Sequence, residues 1–194
     1  MKQTLIAALL LLTACGSGKS APELYRISSD AAPAVACHSR ASVKLYEPKA
    51  GPGLDSARIA VFDGPQHQTF YSNVRWSSPA PVMVQHYLAD RVEQSGLFAS
   101  VMTDEAIARP QWLLESQLRE FAVDQQTQQV QVRLSANLVR AADRQTVLSM
   151  KLAAQESIAG QSMPGIAAAF NRSMDRLSDE LLQQVAAKLP GCAK

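Results

Sequence analysis

Three cysteines and three histidines carry most of the chemical potential of this 194-residue chain. Cys15 closes the run Leu12-Thr13-Ala14-Cys15. A nucleophilic thiol directly behind small residues is what a lipid-transferring enzyme and a signal peptidase both require. Ahead of it, Lys2 gives a positive start and Leu5 to Leu12 an apolar core too short to span a bilayer, the layout of a secretory signal. The expected product is a signal peptide over 1–14, a lipidated tether over 15–23 and a periplasmic domain over 24–194. Cys15 is the expected attachment point of a diacylglycerol, with a further acyl chain on its freed amine. At roughly 0.8 kcal/mol per buried methylene, several acyl chains make such anchoring effectively permanent. Gly16, where an aspartate would retain the protein at the inner membrane, points to the outer membrane.

Cys37 and Cys192 are the thiols left over, in a compartment that oxidises thiols. They are expected to form a disulfide; the alternative is two unpaired cysteines. Neither belongs to a CxxC pair, and no cysteine–histidine spacing suits zinc, so no metal site is expected. His38, His67 and His86 are scattered, without HExxH or GxSxG. His86 and Asp90 stand four apart on a predicted helix, the spacing of a surface contact more often than of an acid–base pair. Gly18-Lys19-Ser20 imitates the end of a phosphate loop, but Thr13 stands where its first glycine belongs and Pro22 follows where a helix is needed. No catalytic residue and no bound cofactor is therefore expected. With 19 basic and 17 acidic residues, the chain offers no electrostatic case for nucleic acid.

The elements that must position these residues read as one domain. Leu24–Ile27 and Ser42–Tyr46 alternate as short strands. Arg58–Phe62 and Gln68–Val74, joined through Asp63-Gly64-Pro65, form a hairpin. Ser77-Ser78-Pro79 announces a helix that Gly96 ends, with Val82, Val84, Leu88, Val92 and Tyr87 as its apolar side. Residues 104–108 suggest one helical turn. Gln111–Val123, Gln129–Arg140 and Thr146–Ile158 alternate strongly across short polar linkers, so they are expected to form an antiparallel meander with one wetted face. Along the first of them, strict alternation places Trp112, Leu114 and Leu118 opposite Phe121. Pro164–Leu189 is an amphipathic helix stopped by Pro190-Gly191. The expected fold is a single α+β domain, an antiparallel β-sheet with the 79–95 and 164–189 helices packed on one face. Trp76 reads as core or helix-entry packing, with a partner or lipid contact as the alternative, and Trp112 reads as core.

Taken together, the lipobox, the segment Gly53-Leu54-Asp55-Ser56-Ala57-Arg58-Ile59-Ala60-Val61, Arg75-Trp76 opening into Pro79, three long strands and a final helix resemble the ABC-type transport auxiliary lipoprotein family. The resemblance covers about residues 12–189. It implies a lipid-anchored accessory component of an ABC/MCE-type lipid transport system that supports outer-membrane integrity. The implied partners are an MCE-domain protein and the ABC permease and ATPase of the same system, with a ring-shaped homo-oligomer left open. The alternative is a lipid-binding or chaperone-like periplasmic lipoprotein acting alone.

Overall fold

A computed structural model describes residues 21–29, 35–103, 109–160 and 162–192. The lipobox with Cys15 and the helical turn expected at 104–108 lie outside them. The longest strand, β7 (Trp112–Asp124), organises the sheet. Its sequence alternates, but with one interruption. Leu118 pairs with Leu134 and Glu120 with Arg133, so Arg119 is an extra residue, a bulge that shifts the side-chain phase. Trp112, Leu114 and Leu118 point into the core before it, and Phe121 and Val123 after it. Strict alternation placed Phe121 on the opposite face; the bulge is what brings it inside.

One edge of β7 carries β8 (Gln129–Arg140), which in turn pairs with β9 (Thr146–Ser157), both antiparallel. The meander thus forms as its short polar turns require. In the first turn, the Asp124 carboxylate accepts hydrogen bonds from the N–H groups of Gln126 and Thr127. The other edge of β7 is shared end to end by three short strands, β2 (Ser42–Leu45), β3 (Lys49–Ala50) and β4 (Arg58–Phe62). All three run parallel to it. β5 (Gln68–Trp76) returns antiparallel to β4 through the 63–67 turn, as expected of that hairpin. Asn73 sits at φ 58° where the β4–β5 register slips, a left-handed conformation that asparagine tolerates. β1 (Glu23–Tyr25) and β6 (Ser100–Met102) add parallel strands outside β5 and β2. The sheet is therefore mixed. The expected antiparallel order holds for the meander and the hairpin, while the short strands reach their partners through long crossovers, which permit parallel pairing.

Two helices cover the inner face. In α1 (Ala80–Ser95), Gly96 adopts the left-handed conformation that closes the helix, its N–H bonding to the Glu93 carbonyl. Ser56 and Ala57 hold the entry: their carbonyls accept the N–H groups of Ala80 and Trp76. In α2 (Met163–Ala186), Ser162 caps the first turn by accepting the Gly165 N–H, with Pro164 inside it. Trp76, 1% exposed, packs against Phe121 and edge-on against Phe170 at ring-centroid distances of 5.5 and 5.0 Å, and the two phenylalanines lie 4.4 Å apart, locking the strand-to-helix corner, β7 and α2 together. The domain is α+β, with both helices on one face of the sheet.

Candidate interaction face

Among the described residues, no helix lies over the opposite face of the sheet. Its side chains come from the positions that alternate with the core: Lys44 on β2; Leu113, Glu115 and Gln117 on β7; Ser135 and Asn137 on β8. Beyond the Arg119 bulge the same face continues through Glu120 and Asp124. Three adjoining grooves run along it, of about 890, 730 and 380 Å³. Tyr46 and Arg144 belong to the first two and Arg119 to the second and third, so they form one trough.

Ion pairs along the trough are open to water, except that the Glu120 carboxylate is buried. Arg144 meets Glu115 at 3.3 Å and Arg140 meets Asp143 at 2.9 Å, while Glu120 pairs with Arg133. The Lys44 ammonium lies 5.1 Å over the Tyr46 ring. Such exposed pairs contribute little to folding, so this composition suits recognition rather than stability.

The inner face holds a different kind of polar group. Arg91, its side chain 3% exposed, projects from α1 between the two helices. Its guanidinium bonds the Ser178 and Ser29 hydroxyls, pairs with Asp179 and approaches Asp175 at 3.4 Å. The Tyr87 hydroxyl donates to Asp175 as well. Burial first, and then that hydrogen bond, push the Tyr87 hydroxyl far above its ordinary pKa, so it stays protonated. Arg91 was missed because it sits on the apolar stripe of the predicted helix, three residues past Leu88, where a long cation is out of pattern. That misfit was the available signal.

The same cluster ties down the beginning of the domain. The Tyr25 carbonyl accepts the Ser77 N–H at 2.7 Å. Ile27 is buried, the Ser28 N–H donates to the Asn171 side chain at 3.1 Å, and Ser29 reaches Arg91. The chain next reaches the far end of the helices. His38 Nδ1 lies 2.8 Å from the Gly96 carbonyl oxygen. Cys37 and Cys192 are disulfide-bonded there, with Cα atoms 5.5 Å apart.

The histidines are not brought together. His38 packs at the end of α1, His67 lies in the β4–β5 turn, and His86 lies on the outer side of α1. No hydrogen bond joins His86 to Asp90 among the described residues. Nor is there, among them, a group of His, Cys, Asp and Glu side chains able to hold a metal ion. Trp76 and Trp112 are both core residues. No described helix is long and apolar enough to cross a membrane.

The model of the family described as "ABC-type transport auxiliary lipoprotein component" matches residues 25–182. The chain belongs to this family. It is similar in structure to protein XCC0632 from Xanthomonas campestris, of the DUF330 family. The TM-score is 0.70 at 25% identity, over 85% of this chain and 93% of that one. An uncharacterized protein shares the fold at TM-score 0.70 and 10% identity, over 86% and 99% of the two chains. The hypothetical protein CT253 from Chlamydia trachomatis shares it at TM-score 0.54 and 8% identity, over 77% and 98%. No curated protein matches. The family is one of transport auxiliary lipoprotein components. Its match begins within β1 and ends within α2, so it includes the uncovered sheet face and the Arg91 cluster. The Leu54–Arg58 segment that carried the resemblance serves here as the turn that seats Trp76 and the first turn of α1.

Proposed function

We propose that this auxiliary lipoprotein is held by acyl chains on Cys15 at the periplasmic side of the outer membrane. There it serves as a docking part of an ABC/MCE-type lipid transport system, meeting the MCE-domain protein. The observation that carries this reading is the division of labour between the two sheet faces. The helix-covered face is closely packed at its centre: the enclosed void among Val43, Leu114, Leu181 and neighbours is about 10 Å³, far below what an acyl chain occupies, and a groove of about 410 Å³ at Val61, Tyr71 and Ile166 opens beside the start of α2. The uncovered face presents a continuous trough. A protein with a closed core and an open polar sheet face suits holding a partner better than carrying a lipid alone. The bonds from Tyr25 to Ser29 support an anchoring role, because a pull on the tether meets β5, α1 and α2 within a few residues.

The test is copurification from detergent-solubilised envelopes with the full-length lipidated protein as bait. The MCE-domain protein should accompany the wild type. Cys15→Ala should lose palmitate labelling and membrane partitioning. Labelling that persists in Cys15→Ala would defeat the anchor, and absence of the MCE protein from wild-type eluates would defeat the docking role.

A further inference from the structure

We infer that the first groove of the uncovered face takes an acidic segment of a protein partner, with an apolar residue of that segment seated on its floor. This rests on the reading that the face docks a partner, and adds which end engages and what chemistry it selects. The groove, about 890 Å³, forms where the β7 start, the β2 end, the β8–β9 turn and Pro190 converge. Its floor is apolar: Leu113 is buried although it sits on the uncovered face, and Pro110 and Ala141 flank it. Among the described residues, four cations line it, Lys44, Arg109, Arg140 and Arg144, and no acidic side chain does.

Arg140 and Arg144 are partly neutralised by Asp143 and Glu115. Those carboxylates hold the two guanidiniums in place through one oxygen contact each, leaving N–H donors directed elsewhere. Arg109 has no acidic partner among the described residues. Guanidiniums around an apolar floor select carboxylates flanking a hydrophobic side chain.

Two features favour a protein segment over a lipid. The groove is an open trough and does not enclose a chain. It also lies roughly 25 Å along β7 from where the tether enters, since Glu23 pairs with Val74, Arg58 with Arg75, and Ala60 with Ala122, beyond the bulge and far from Leu113. The groove therefore opens at the end of the sheet remote from the tether's entry.

The probe is a fluorescent peptide alternating glutamate and leucine, titrated by anisotropy against the full-length protein in neutral detergent. Saturable binding that weakens with salt is expected. Arg109→Glu should weaken it about tenfold or more, and Lys44→Glu similarly. Arg109 is exposed and, among the described residues, without an acidic partner, so its reversal is expected to leave the fold intact. The companion peptide with lysine in place of glutamate should not bind. Equal binding by Arg109→Glu and wild type, or by both peptides, would overturn the inference. So would displacement of the peptide by phosphatidylglycerol vesicles, which would mark a lipid headgroup site. Copurification of the MCE-domain protein by the wild type is scored separately, so a failed groove leaves the docking role standing.

Discussion

The two faces of β8 are one residue apart and follow different rules. Val130, Val132, Leu134, Ala136 and Leu138 point under the helices and are all buried, while Arg133 and Asn137 between them face water. On the inner face nearly every position is determined by packing, and its charged group Arg91 is fully engaged. On the outer face ion pairs are exposed and side chains line grooves. The inner face stabilises the fold, and the outer face, on the proposed reading, is free to vary its chemistry for recognition. The sharpest way to break this contrast is to place a charge on each side of the same strand.

The largest effect should come from the inner side. Leu134 is 2% exposed beneath α2 and opposite Leu118 and Leu152. Leu134→Lys should cost about 4 kcal/mol, because the ammonium finds no partner in the core. Chemical denaturation measures it; an unchanged midpoint would mean that the helices do not seal this face.

Next is the bridge between Cys37 and Cys192, separated by 155 residues in sequence. Closing so long a loop restricts the unfolded chain strongly, and removal should cost about 3 kcal/mol. Cys192→Ser melted beside the wild type, with and without reductant, checks it. Equal stability of both, with alkylation of Cys37 in unreduced wild type, would show that the thiols are free in the native protein.

Much of the inner face was legible in the sequence, because period 2 in the meander and period 3.6 in α2 report one-sided burial directly. The Arg119 bulge was not, since an extra residue is visible only against the partner strand. The parallel partners of β7 were not legible either: β2, β3 and β4 are too short for pattern to choose their neighbours, and long-range contacts decide. Of the candidate face, the sequence suggested only that the meander has a wet side. The grooves depend on Lys44, Arg109, Arg140, Arg144 and Pro190 meeting from separate segments, and no local spacing encodes that meeting.

Smaller effects separate the two kinds of polar contact. Tyr87→Phe removes one partly buried hydrogen bond to Asp175 and should cost about 1 kcal/mol. A double-mutant cycle with Asp175→Ala should recover most of it as coupling. At the sheet edge, Arg176 and Arg172 hold the Glu156 carboxyl below its ordinary pKa, chiefly through the hydrogen bond from Arg176. A depressed folded pKa means that this group's contribution is present above the ordinary carboxylate pKa and is lost as pH falls through the folded value. Glu156→Gln should therefore lower the neutral plateau slightly and flatten the acid limb, the two profiles converging once the pH falls below the folded value. A variant profile parallel to the wild type throughout the acid range would assign that limb to other carboxylates.

The smallest stability effect is expected on the outer side of β8, at Asn137, three residues from Leu134. Asn137 is exposed, lies opposite Glu115 and Ser149, and lines the second groove. Asn137→Lys places its charge in water beside a carboxylate, so the folding free energy should move by less than about 0.5 kcal/mol. Binding should respond differently, since a long cation there fills part of the groove. The outcome that supports the contrast is a wild-type melting curve with reduced copurification of the MCE-domain protein. A variant that melts normally and copurifies normally would confine docking to other parts of the trough. One that unfolds like Leu134→Lys would mean the outer face is packed after all, and the division between a stabilising face and a recognising face would fail at the strand where it is drawn most sharply.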